Sequence, residues 1–174
     1  MKRFSVLATL LLALSLFVSP AFGEEGEKNG KDVVMSFLAK YKDVQGFEAQ
    51  TFVKGEGLGI VKAQMGKKMG KSFLRGVNII TMVDYSEVDS QVCNFIHEDY
   101  DLYFSKFTEV DTSDSTKTST ETEKPYTRTF INLKEEEKAI TDFITVVEDQ
   151  EFKVFLYMGG VIKVEDFKNL SEAK

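Results

Sequence analysis

Apolar positions in this chain change period several times, and each change marks an element. From Asp32 they recur at Val33, Val34, Phe37, Leu38 and Tyr41, the spacing of one helix face. Gly46 ends that helix, and the alternation in FEAQTFV (47–53) predicts a short strand. Leu58, Val61, Met65, Met69 and Phe73 return to helical spacing. Gly59, Gly66 and Gly70 each cost such a helix up to about 1 kcal/mol, so a short helix near 57–68 that frays is expected. GVNIITMV (76–83) is apolar on both pleat faces, which suits an interior strand. Ser86 with Asp89 resembles a capping arrangement. It predicts a long helix that turns Val88, Val92, Phe95, Ile96 and Tyr103 to the core.

The second half of the chain reads as strands. One is expected near 107–111, and DTSDSTKTSTET (111–122), in which eight of twelve residues are Ser or Thr, then has nothing to bury. A mobile loop over 111–124 is expected there. YTRTFINL (126–133), AITDFITVV (139–147) and FKVFLYM (152–158) follow, separated by the acidic turns 134–138 and 148–151, which predicts an antiparallel meander. Val164, Phe167 and Leu170 give a last short amphipathic helix. Gly159-Gly160 stands between them. A phosphate-cradling loop places its glycines directly before a helix, whereas this pair is followed by Val161, Ile162 and Val164, which prefer an extended chain, and by Glu165 and Asp166, which repel phosphate. The pair reads as a bulge or bend. The expected fold is α+β, a single mostly antiparallel sheet of about five or six strands with helices packed on one face.

The N-terminus sits outside that pattern. A basic start, an apolar run from Phe4 to Val18, Pro20 and the small residues Ala21 and Gly23 make a secretory signal over 1–23. The run is too short to span a bilayer, which takes about 20 apolar residues. A polar, disordered arm over 24–31 and a single domain over 32–174 are expected to follow. The leader holds two of the 22 basic residues and none of the 28 acidic ones, so its removal takes the net charge from −6 to −8. A chain that acidic repels nucleic acid. With one cysteine there is no intramolecular disulfide, so stability rests on packing, for which 15 Phe supply apolar area.

Three groups of residues invite chemistry. Cys93, His97 and Asp101 fall at i, i+4 and i+8 on one helix edge, a spacing that suits a metal or an activated thiol. A structural zinc site takes four ligands, however, and the chain has one His and one Cys. Cys93 at the margin of the apolar face reads as a small hydrophobe, with His97 and Asp101 on the exposed side. Lys62, Lys67, Lys68, Lys71 and Arg75 form a basic island beside Met65, Met69 and Phe73. They are a candidate docking patch for an acidic partner or, weakly, an anionic membrane surface, weighed against the solvated back of an amphipathic helix. Glu135, Glu136 and Glu137, with Glu148, Asp149 and Glu151, flank the meander without calcium-loop spacing and read as solvated turn charge. No catalytic motif or cofactor loop is found.

The signal peptide, LRGVNIITMVDY (74–85), YFSKFTEVDTS (103–113) and FKVFLYMGGVIKVEDFKNL (152–170) occur in an order that resembles the small exported bacterial proteins catalogued as domain of unknown function four-two-five-two. The resemblance covers nearly the whole mature chain. It implies an envelope location and brings no activity, cofactor or site residue. The Ser/Thr-rich segment is longer than the family's hairpin, and the leader lacks the lipoprotein cysteine of some members. The expected function is that of a non-enzymatic exported module, soluble in the periplasm or secreted, acting through contact with an envelope protein. Two alternatives are a binder of a small apolar ligand or lipid, whose cavity the Phe and Met residues would line, and a metal or thiol site at Cys93 and His97.

Overall fold

A computed structural model describes residues 29–110 and 125–172. The expected signal peptide over 1–23, residues 24–28 of the expected arm and the expected loop over 111–124 lie outside the described residues. Helix α1 (Gly30–Tyr41) starts inside the expected arm, because the Asn29 side chain accepts from Asp32 N at 3.0 Å and caps it. Strand β1 (Glu48–Val53) follows, then α2 (Glu56–Met69), the single turn α3 (Lys71–Leu74) and β2 (Val77–Asp84). α2 is continuous in spite of its glycines. Helix α4 (Ser90–Tyr103) is capped by Asp89, which accepts from Gln91 N at 2.9 Å. Ser86 is bound to Asp84 instead, so the expected pairing of Ser86 with Asp89 does not form. β3 (Thr108–Val110), β4 (Tyr126–Lys134), β5 (Ala139–Glu148), β6 (Lys153–Lys163) and α5 (Val164–Glu172) complete the order.

The six strands form one antiparallel sheet in the order β1-β2-β6-β5-β4-β3. The α+β class with a single antiparallel sheet is as expected, but the helices occupy both faces. Neighbouring residues along each inner strand alternate between two cores. Ile79, Ile144, Phe155 and Tyr157 face α1 and α4, whereas Ile80, Phe143 and Met158 face α2, α3 and α5. A strand apolar on both pleat faces needs cover on both, and a one-sided arrangement would have left one set in water.

The first core is aromatic. Phe37 lies within 5.7 Å, ring centre to ring centre, of Tyr41, Tyr100, Tyr103, Phe104 and Phe155. Of the expected core residues, Ile96 is buried in this core, Val88 joins it from just before α4, and Val92 and Tyr103 pack against it half-buried; Phe95 does not, being 46% exposed, and Cys93, Asp99 and Tyr100 are buried on α4 as well. The second core mixes aliphatic side chains with Phe73 and Phe143, whose rings meet edge-on at 5.7 Å. One register row, Phe52-Ile80-Met158-Phe143-Ile131, runs across five strands beneath α2 and α3.

Gly159 and Gly160 sit inside β6, where register shifts against both neighbours mark a bulge, and α5 begins at Val164. Gly160 has φ +148, and a Cβ on it would lie 2.3 Å from the Gly76 carbonyl oxygen. Val161 N donates to that same oxygen at 3.0 Å, so the two chains cross too closely for a side chain.

Candidate functional site

The face under α1 and α4 is apolar at its centre and polar at both ends. At one end the row Gly159-Asp142-Asn132 places a buried carboxylate. Asp142 accepts from Tyr157 OH at 2.9 Å, Thr141 Oγ1 at 2.9 Å and Asn132 Nδ2 at 3.1 Å. At the other end the row Lys153-Glu148-Tyr126 crosses the sheet. Glu148 Oε1 accepts from Tyr85 OH at 2.5 Å and from His97 Nε2 at 2.6 Å, and Tyr100 OH donates to Tyr85 OH at 3.1 Å. On α4 itself, Asp99 accepts from Tyr41 OH at 2.6 Å and Lys40 Nζ at 2.5 Å, which ties α4 to α1.

Three buried carboxylates thus each hold a buried tyrosine. Burial first, and then the neighbouring carboxylates and phenols, push the Tyr41, Tyr85 and Tyr157 phenols far above their ordinary range; burial does the same to Tyr100. These hydroxyls are locked donors, with no solvent path to act as nucleophiles. Glu148 was expected as turn charge, and the structure makes it an interior acceptor instead. Its position in β5 has the same parity as Ile144 and Val146, which turns it inward.

Cys93, His97 and Asp101 share one edge of α4, but the structure sends them to three different partners. Cys93 is buried, with Sγ 3.6 Å from Val88 O and 3.1 Å from Lys153 Nζ. His97 is half-buried, bonded to Glu148 and stacked on Tyr126 at 5.1 Å. Asp101 pairs with Arg128 at 2.7 Å, and Arg128 also grips Glu109 of β3 and lies 4.7 Å over the Phe130 ring. The hydrogen bonds it donates to Glu109, then to Asp101, hold that guanidinium protonated beyond its usual range. No group of three His, Cys, Asp or Glu side chains among the described residues is placed to hold a metal.

The basic island is spread over α2, α3 and the turn before β2. Lys62 reaches the carbonyls of Val77 at 2.9 Å and Arg75 at 3.3 Å, so it closes the local turn. Lys67, Lys71 and Arg75 are exposed, and Lys68 lies on α2. An open groove of about 510 Å³ lies at the β4–β5 turn against α5, lined by Leu133, Glu135, Glu137, Lys138, Lys163 and Val164 among others. Its rim carries both charge signs.

A third surface has no local sequence signature. β1 is an edge strand exposed along nearly its whole length, with only Phe52 half-buried and Val53 58% exposed. α2, α3 and α5 cover one half of their sheet face. Beyond them the rows Gln50-Met82-Leu156-Thr145 and Glu48-Asp84-Val154-Val147 continue. Met82 is exposed there, and Leu156, Val154 and Val147 are half-buried. β1 lacks the proline, lysine or bulge that blunts natural edges.

Comparison with family models, curated proteins and solved structures gives no match. Among the described residues no helix is long and apolar enough to cross a membrane.

Proposed function

We propose that this protein is a non-enzymatic interaction module of the bacterial envelope that accepts an extended segment of a partner protein along the free edge of β1. The carrying observation is that no strand among the described residues pairs with the outer edge of β1, which leaves alternate backbone N–H and C=O groups directed away from β2 and ready to pair with an added strand. The half-exposed strip of Met82, Leu156, Val154 and Val147 beside it supplies apolar surface for the partner's side chains. Lys67, Lys71 and Arg75, exposed on the neighbouring helical layer, favour acidic residues in that partner. The leader pattern and the resemblance to exported proteins support the envelope location. The dispersal of Cys93, His97 and Asp101 onto separate partners supports the non-enzymatic reading.

The test is site-specific photo-crosslinking in cells from position 50 of β1, with a probe at Glu136 as control. A discrete adduct from β1 alone is expected. It should disappear when Ala49 and Val53 are both replaced by Lys, since edge lysines oppose strand addition, while circular dichroism stays unchanged. Equal labelling from both positions, or an adduct that survives the double replacement, overturns the reading. A homodimer adduct assigns the edge to a second copy of the chain and overturns the hetero-partner.

A further inference from the structure

Lys153 is an unusual neighbour for a thiol. Its register partner on β5 is Glu148, whose Oε1 is already taken by Tyr85 and His97. No carboxylate lies within ion-pair distance of Lys153 Nζ among the described residues; the side chain it reaches is Cys93, at 3.1 Å. Both ends of this contact are held by ordered backbone. Lys153 N donates to Ser86 Oγ at 2.9 Å, its carbonyl accepts from Tyr85 N at 3.0 Å, and Cys93 N donates to Asp89 O at 2.9 Å in the first turn of α4. The amine and the sulfur are therefore pre-positioned, which raises their effective concentration toward each other by orders of magnitude over free groups.

We propose that Cys93 and Lys153 form a peroxide-dependent covalent cross-link between α4 and β6. In the first step the Cys93 sulfur attacks a hydroperoxide. The O–O bond breaks, one oxygen goes to sulfur to give the sulfenic acid, and the other leaves as water or an alcohol with the thiol proton. Sulfur is oxidised by two electrons and the peroxide is reduced by two. A sulfenic acid commonly condenses with a second thiol or with a nearby nitrogen. This chain has no second cysteine. The unprotonated Lys153 amine then attacks sulfur, the S–O bond breaks, an S–N bond forms, and hydroxide leaves with an amine proton as water. The net change is the loss of two hydrogens. A thiol reductant reverses it by attacking sulfur and releasing the amine. The link staples the start of α4 to a central strand, and it halts oxidation before the irreversible sulfinic stage.

Purified protein treated with hydrogen peroxide and mapped by peptide mass spectrometry, which separates methionine oxidation, is the test. The expected product is one cross-linked peptide holding Cys93 and Lys153, lighter by about 2 Da than its two components, resistant to trypsin at Lys153 and restored by dithiothreitol. Lys153→Arg and Lys153→Gln, checked for native circular dichroism, should instead gain about 16 or about 32 Da at Cys93 and label with a sulfenic-acid probe. Oxygen addition at Cys93 in the wild type to the same extent as in the variants overturns the proposal. So does a thiol unchanged by peroxide that oxidises a free cysteine peptide, or a link carrying an added oxygen.

Discussion

Raising the pH should unfold this protein through its tyrosines, and the pH at which it does so can be worked out. Tyr41, Tyr85, Tyr100 and Tyr157 are at most 1% exposed, and Tyr41, Tyr85 and Tyr157 each donate to a carboxylate. In the unfolded chain each phenol titrates near pH 10. In the native state burial raises all four. A group whose folded pKa is raised contributes its full stability below the unfolded value and loses it as the pH climbs toward the folded one. Each phenol that ionises only on unfolding withdraws about 1.4 kcal/mol at pH 11 and about 2.7 kcal/mol at pH 12. Four of them withdraw about 6 and about 11 kcal/mol, against the 5–15 kcal/mol that an ordinary domain has to lose. Unfolding is expected between about pH 11 and pH 12. The chain has no tryptophan, so near-ultraviolet absorbance reports tyrosinate cleanly. Recorded beside far-ultraviolet circular dichroism, the titration should show Tyr103 and Tyr126, the two partly exposed phenols, ionising first. The other four should appear in a single step with the loss of helix signal. Six phenols titrating together around pH 10 with the dichroism intact would refute the argument, because it would mean that the buried hydroxyls reach water without unfolding.

Further outcomes follow from single contacts. Gly160→Ala meets backbone at 2.3 Å in a left-handed conformation and should cost about 3 kcal/mol or more in denaturant melts. Gly55→Ala, with φ +133 but nothing within 4 Å, should cost only about 1 to 2 kcal/mol. Tyr41→Phe leaves Asp99 with Lys40 as its remaining side-chain partner and should lower stability by about 1 to 3 kcal/mol, measured by chemical denaturation. Phe37→Ala empties the hub of the aromatic core and is expected to cost about 3 to 5 kcal/mol, with loss of near-ultraviolet dichroism as the rings around it relax.

Local pattern was enough to place most elements. FEAQTFV, YTRTFINL and AITDFITVV each form the strand that their alternation indicates, and the glycine pair is the bulge that its β-branched neighbours imply. The two-sided helical cover was also written in the chain. Ile79 next to Ile80, and Phe143 next to Ile144, put large apolar groups on opposite pleat faces, which one layer of helices cannot bury. Asp142 and Glu148 stand at inward parity in β5, and that parity was the one signal of interior carboxylates. Their partners were not legible. Tyr85 lies 63 positions from Glu148, and Lys153 lies 60 from Cys93, so only the fold brings them together. The exposure of Phe95 escaped for a related reason. Asp99 and Tyr100 weigh little in a hydrophobic count, yet hydrogen bonds to Tyr41 of α1 and to Tyr85 seat them in the core, while Phe95 lies at the exposed margin of the helix.

The position of β6 sets the timetable of folding. It is the last strand in the chain and a central one in the sheet, hydrogen-bonded to β2 on one side and β5 on the other. Until residues 153–163 are available, β1 with β2 and β3 with β4 and β5 are two separate fragments, each with an unsatisfied inner edge and half a core. A nascent chain that stops before Lys153 has no strand to join the two fragments. Folding of the sheet must wait for the C-terminal segment, through contacts of long sequence separation that form slowly, and a chain cut short before Lys153 is left with two sticky sheets in place of a smaller domain.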